Sequence, residues 1–226
     1  DLILQRASDG FDWSLISPTI FGAVFESTLN PETRRAGGMH YTSIENIHKV
    51  IDPLFLNDLK AELADIKATS VAKTKKVRAY AFQDKLAGLK FFDPACGSGN
   101  FLTESYTSLR RLENEALRII YGGDRVIGEM ADPIKVHINQ FYGIEINDFA
   151  CSVAQTALWI AESQMMRETD EIVGFNLDPL PLKTYNNIHE GNALRMDWNN
   201  VIPASELNYI MGNPPFIGKK EQTKEQ

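Results

Sequence analysis

The sequence predicts an α/β protein built on an open, mainly parallel sheet with helices in front of it. Three observations carry this expectation. Two short apolar segments, residues 89–93 and 141–146, each reach an acid, Asp93 and Glu145. Each is followed by a long stretch of helical periodicity, and the first enters it through a glycine-rich turn. Two more short apolar segments follow, a weaker one at 187–190 and another at 207–211, completing a strand–helix alternation. Ligands on such sheets bind beyond the carboxyl ends of the strands, and the chemically unusual residues of this chain gather there.

Taken in order, residues 14–29 place Ile16, Ile20, Val24 and Phe25 on one helical face, which Pro31 and the Gly37-Gly38 pair end. A second helix begins at Thr42, where Thr42-Ser43-Ile44-Glu45 has the capping-box form, a hydroxyl three residues ahead of a carboxylate. Ile47, Val50, Ile51, Leu54, Leu59 and Leu63 continue at helical spacing, and Pro53 predicts a kink. Leu89–Asp93 is the first strand. The helix after its glycine turn runs from Phe101 to Ile120 and stops at Gly122-Gly123. The second strand, Phe141–Ile146, leads into a helix over Asp148–Arg167, in which Trp159, Met165 and Met166 read as core. Asn187–Glu190 and Leu207–Met211 are the third and fourth strands, and residues 218–226 form a polar tail.

Composition narrows the classes. The 226 residues are 43% hydrophobic and 23% charged, ordinary values for a folded chain, which exclude a disordered or low-complexity scaffold. No apolar run approaches the ~20 residues of a membrane span, and no secretory leader opens the chain. Two cysteines, Cys96 and Cys151, make neither a disulfide framework nor a zinc site, and His40, His48, His137 and His189 lack ligand spacing, so no metal site is expected. A soluble cytoplasmic protein is the expectation. The net charge of −7 is uneven: residues 1–92 sum to +1 and residues 93–226 to −8. Lys67, Lys73, Lys75, Lys76, Arg78, Lys85 and Lys90 form a basic run broken only by Asp84, which can meet phosphates or simply face solvent.

The strongest motif is Asp93-Pro94-Ala95-Cys96-Gly97-Ser98-Gly99-Asn100-Phe101-Leu102. Its glycines let the backbone approach a ligand, and the amides opening the helix point outward as donors. It lacks the third glycine of the dinucleotide fingerprint and the lysine of a P-loop. Glu145, ending the second strand, can accept both hydroxyls of a ribose. The fourth strand runs into Asn213-Pro214-Pro215-Phe216. Here an Asn side-chain oxygen and a Pro carbonyl can accept the two hydrogens of a planar amino group, and Phe216 offers a flat face.

Asp93–Leu102 resembles the S-adenosylmethionine-binding motif of class I DNA methyltransferases, and Asn213-Pro214-Pro215-Phe216 resembles their catalytic motif for exocyclic amino groups. Gly38-Met39-His40-Tyr41-Thr42 is similar to the additional cofactor motif that the gamma arrangement places N-terminally, and Gly191–Leu194 through Asp197-Trp198 to the third-strand motif. The wording is close to the MmeI-like enzymes, which fuse nuclease, helical spacer, methyltransferase and target-recognition regions. The resemblance implies a Rossmann-like class I methyltransferase sheet with an N-terminal helical extension. Residues 1–36 would precede a methyltransferase domain at 37–226, divided into N-terminal motif and helices (37–88) and α/β core (89–226). It implies that Tyr41 and Thr42 approach the methionine end of the cofactor. Asp93, Ala95, Gly97 and Gly99 would line it, joined by Cys96, Asn100 and Phe101. Glu145 would hold the ribose, Ile146 would pack on the adenine, and Asn192 with Ala193 would meet the adenine edge. Asn192 stands where several relatives have Asp.

The implied reaction is methyl transfer to the N6 amino group of an adenine flipped out of double-stranded DNA, with Asn213, Pro214, Pro215 and Phe216 as the catalytic motif. Asn213 and Pro214 would draw the amino nitrogen toward tetrahedral geometry, so neither a covalent intermediate nor a metal is needed. Cys96 is therefore not expected to be a nucleophile. Cytosine N4 or a protein glutamine are alternative targets of the same fold, and a non-catalytic cofactor- or DNA-binding role is another. The resemblance further implies about three more strands, a target-recognition region and a nuclease region in a parent enzyme. The chain thus reads as a piece of a restriction–modification protein, sequence-nonspecific and weakly active by itself.

Overall fold

Four parallel strands and five helices make up the described part of the chain in a computed structural model, which describes residues 17–18, 42–122, 133–174 and 185–215. The helix expected over 14–29 (apart from Ser17 and Pro18), the Gly37-Gly38 break, Tyr41, Phe216 and the polar tail lie outside the described residues.

Helix α1 spans Ile44–Ile51, and its cap is Ser43, one residue later than the capping-box pattern predicts. Ser43 is extended and its hydroxyl accepts from the Asn46 N–H at 3.4 Å, while the Thr42 hydroxyl is engaged elsewhere. At Pro53 the chain does not break. Residues Asp52–Leu56 form one π-helical turn, which accommodates a residue without an N–H by widening the helix, and α2 (Asn57–Ala68) continues from it. Ile47, Ile51, Phe55, Leu56, Leu59, Leu63 and Ile66 are buried along this unit, whereas Val50 and Leu54 face outward.

Helix α3 (Ala72–Gly88) occupies the stretch that the sequence displays only as a basic run. Its buried stripe is thin: Ala79, Phe82, Gln83 and Leu86. Most of the basic charge is consumed within the molecule. Lys67 pairs with Glu115 (2.6 Å), Arg78 with Asp65 (2.5 Å), Lys85 with Glu62 (2.6 Å) and Lys90 with Glu206.

Strand β1 (Phe91–Asp93) leads to α4 (Asn100–Tyr121), β2 (Phe141–Glu145) to α5 (Asp148–Val173), followed by β3 (Ile188–Glu190) and β4 (Tyr209–Ile210). The strands are shorter than expected, and α5 runs six residues past Arg167 to Val173, where Gly174 takes the left-handed conformation and ends it. The sheet order is β3-β2-β1-β4, every pairing parallel. One face packs Phe91 and Phe141, stacked with centroids 5.0 Å apart, against the helices. Phe92 and Ile144 on the other face are covered by Val201 and Ile202, with Trp198 and Met196 against them.

A buried polar network ties the helical layer together. Arg110 and Glu113, both fully buried on α4, pair with each other. Glu113 also accepts from Gln83 of α3 (2.7 Å) and from the Lys135 N–H (2.7 Å) on the segment entering β2, and Arg110 donates to Thr169 of α5 (2.6 Å). Thr169 lies beyond the point where the sequence pattern ends the helix, and this network gives the extra turn its partner.

Candidate functional site

Strand β1 has β2 on one side and β4 on the other, so the direction of winding reverses between β1 and β4. That reversal opens a crevice at the carboxyl ends of the two strands, the place where open parallel sheets hold ligands. The residues at its two lips are Asp93 and Gly212-Asn213.

Asp93 is 1% exposed, and its Oδ1 accepts from the Ala95 N–H at 3.0 Å. Its carboxylate lies against Gly212, where no room remains for a Cβ. Burial pushes the Asp93 carboxyl up to about 7; the Ala95 N–H opposes this, and the nearby charge of Glu145 adds to it. Glu145 closes the turn from β2: Oε2 accepts from the Gly97 N–H (2.9 Å) and Oε1 from the Asn147 N–H (3.0 Å). The Cys96 N–H donates to the Ile144 carbonyl (3.0 Å) and the Gly191 N–H to the Glu145 carbonyl (2.8 Å), so three loops are laced at one sheet edge.

Gly99 caps α4 at φ 80°, a left-handed conformation, and a Cβ there would come within 2.9 Å of Ala154 on α5. Only glycine fits both demands. Above Gly97 the space is open. In the first turn of α4 the Asn100 Oδ1 and the Thr103 Oγ1 are buried without a hydrogen-bond partner, an arrangement folded proteins rarely leave unfilled.

The remaining predicted residues fall into four groups. Ile146 is 60% exposed just past β2, and Ala95 and Gly97 lie on the turn. Asn192 turns its Oδ1 onto the Leu194 N–H (3.0 Å), while Ala193 packs toward the Phe92–Ile144 face and its carbonyl accepts from the Trp198 indole (2.8 Å). The side chains of Cys96 and Phe101 are buried in the helical core. Burial, with Asp93 and Glu145 adding to it, raises the Cys96 thiol well above its ordinary range, a poor setting for a nucleophile. Asn213, Pro214 and Pro215 are exposed at the end of β4, and Asn213 Nδ2 donates to Thr42 Oγ1 at 3.3 Å. This contact spans 171 residues of sequence and joins the N-terminal motif to the Asn-Pro-Pro motif. Phe149, which the sequence pattern does not single out, is 57% exposed in the first turn of α5. It is a large aromatic three residues past Ile146.

A parallel sheet whose crevice is bounded by a glycine turn, a strand-end carboxylate and an Asn-Pro-Pro segment defines a Rossmann-like fold with two adjoining polar sites. The chain belongs to the family described as the MmeI DNA-methyltransferase domain, whose model matches residues 68–226. It is 44% identical over 226 residues to DNA methyltransferase A of Bacillus subtilis (strain 168), with 99% of this chain covered. It is 25% identical over 176 residues, 68% of this chain, to a putative type II restriction enzyme and methyltransferase of Methanocaldococcus jannaschii. The solved structure of the Type IIL restriction–modification enzyme MmeI in complex with DNA superposes on 95% of the chain with a TM-score of 0.85 and 44% identity. The chain spans 25%, 15% and 28% of the lengths of these three proteins. Among the described residues no helix is long and apolar enough to cross a membrane, and no group of three His, Cys, Asp or Glu residues could hold a metal ion.

Proposed function

We propose that this chain is the methyl-transfer core of a restriction–modification enzyme that uses S-adenosylmethionine to methylate the N6 amino group of an adenine flipped out of double-stranded DNA. The reading rests on one juxtaposition: Asp93 of the glycine turn touches Gly212, the residue before Asn213. A cofactor site and an amino-group site are thereby neighbours across the winding reversal. Target-recognition and nuclease regions belong, in this reading, to the rest of the parent chain, and the enzyme works in the cytoplasm. The Thr42–Asn213 contact supports counting residues 37–88 with the methyltransferase domain.

The residues present fit the cofactor. Asn100 Oδ1 and Thr103 Oγ1 are buried polar atoms awaiting partners, the space above Gly97 is open, and Ile146 presents an exposed apolar face. Glu145 would take the ribose hydroxyls on the lone pairs its two backbone donors leave free. Ionised Asp93 would meet the ammonium group, Ile146 and Phe149 would flank the adenine, and Asn192 and Ala193 would meet its edge. Bound S-adenosylmethionine supplies an electrophilic methyl group.

The chain's own part is positioning. Asn213 Oδ1 and the Pro214 carbonyl accept the two hydrogens of the target amino group and pull its nitrogen out of conjugation, which frees the lone pair. Pro215 stiffens the segment so that both acceptors hold their direction, and Phe216 stacks on the flipped base. Incubating the full-length protein with unmethylated DNA and labelled S-adenosylmethionine, then resolving the nucleosides by mass spectrometry, tests the reading. N6-methyl-2′-deoxyadenosine is the expected product. N4-methylcytosine would move the target to the other amino base, and label in protein alone would remove DNA as the substrate.

A further inference from the structure

A buried carboxylate is stable as an anion only beside a partner, and Glu104 takes its partner from another helix. Glu104 lies near the start of α4, one turn on from Asn100, and is 8% exposed. Its Oε1 is 3.1 Å from Nε2 of His48 on α1, 56 positions earlier in the chain. The other ring nitrogen, Nδ1, is 2.8 Å from Asp52 Oδ1 on the π turn. Ionised carboxylates only accept, so a ring bonded to both must donate from both nitrogens, which only the imidazolium does. Partial burial works against that charge, but the hydrogen bonds and charges of Asp52 and Glu104 outweigh it and raise the pKa of His48. Lys60 Nζ of α2, 3.9 Å from Asp52 Oδ1, is a further charge facing the cluster, while Glu45 and Lys49 of α1 are exposed.

The helices joined in this way lead to two different parts of the proposed cofactor site. Helix α1 begins two residues after Thr42, which the resemblance places at the methionine end of the cofactor. Helix α4 begins at the glycine turn, and its first turn holds Asn100 Oδ1 and Thr103 Oγ1, buried without a partner. Ile47 and Ile51 seat the apolar face of α1 in the core, but apolar contact is non-directional. A charge-assisted hydrogen bond has a direction, and it fixes the setting of α1 against α4.

We infer that His48 is a positioning residue: by bridging Asp52 and Glu104 it holds Thr42 at a fixed spacing from the glycine turn, as cofactor binding needs. The inference rests on the proposed methyl-transfer reading and keeps Thr42 on the cofactor side. Loss of the ring proton leaves one carboxylate facing a lone pair and opens one arm of the bridge. The cofactor affinity that the bridge contributes is therefore present below the raised pKa of His48 and lost as pH rises through it.

The test compares full-length wild type, His48→Gln and His48→Lys at pH 6 and pH 9. Calorimetry reads the S-adenosylmethionine Kd, and hydrogen exchange reads the α1 amides without cofactor. Gln is uncharged, so at pH 6 its Kd should be about tenfold weaker than wild type and its α1 amides less protected. At pH 9 the two should bind alike. Asp93 titrates in all three proteins and cancels from their ratios. Lys stays charged, and should match wild type at pH 6 and bind more tightly than wild type at pH 9. A ratio of Gln to wild-type Kd that is the same at both pH values would overturn the inference. So would faster α1 exchange with an unchanged Kd, which is what a merely structural residue gives. A wild type that binds no S-adenosylmethionine at either pH would overturn the underlying reading and the inference with it. If the Gln variant fails to fold, the Lys variant decides: a Kd with the same pH dependence as the wild type's would overturn the inference.

Discussion

Replacing Asp93 with Asn should make the apo fold more stable and weaken cofactor binding. Burial moves this carboxyl from 3.8 to about 7, and at about 1.4 kcal/mol per pH unit that difference is about 4 kcal/mol. The folded pKa lies above the unfolded one. The folded state therefore loses stability as pH rises from about 4 to about 7, because ionising Asp93 in the unfolded chain is easier than ionising it beside Glu145. Asn keeps the acceptor for the Ala95 N–H and carries no charge. Hydrogen exchange of the β1 and β2 amides in the full-length protein reads the effect locally. At pH 8 the variant's amides should exchange on the order of a hundred- to a thousandfold more slowly, and the gain should fade toward pH 4. Calorimetry should meanwhile show S-adenosylmethionine binding reduced at least tenfold, since the ammonium loses its counter-charge. An Asn variant no more protected at pH 8 than the wild type would refute the claim that Asp93 is held ionised against its surroundings. Unchanged cofactor affinity would refute its role as the ammonium partner.

Further outcomes follow from the packing. Glu113→Ala leaves Arg110 charged and unpaired at full burial, and should cost about 3–5 kcal/mol, measured as lost exchange protection across α3, α4 and α5. Gly99→Ala adds a Cβ to a left-handed residue already against Ala154, and about 1–3 kcal/mol of destabilisation is expected together with weaker cofactor binding. Asn213→Ala should lower kcat at least a hundredfold and leave the cofactor Kd unchanged, because the amide faces the amino-group side; a shift in Kd with kcat intact would contradict this.

The parallel core was legible because its signals are local. Phe91–Asp93 and Phe141–Glu145 are fully or nearly fully buried strands that read as apolar runs, and the glycine turn between β1 and α4 announces itself by Gly97 and Gly99. The two lips of the crevice followed from strand ends alone. Helix α3 escaped because its stripe of Ala79, Phe82 and Leu86 includes a polar Gln83 whose partner, Glu113, is thirty residues away. The cap shifted to Ser43 for a similar reason: Thr42, the better-looking cap in a linear pattern, is engaged by Asn213. His48 gave no hint of its bridge, since its acceptor Glu104 lies 56 positions on. Pattern reading sees neighbours in sequence, and these three features are made by neighbours in space.

Whether the edge of β1 and β2 holds the methyl donor is decided by titrating the full-length protein with S-adenosylmethionine beside its Glu145→Gln variant. The substitution keeps the length of the side chain, removes the charge that strengthens the ribose bonds, each worth about 1.5–3 kcal/mol, and leaves one of the Gly97 and Asn147 N–H groups without its acceptor. The wild type should bind, and the variant's Kd should be ten- to hundredfold weaker. Equal affinity in the two proteins would place the cofactor elsewhere.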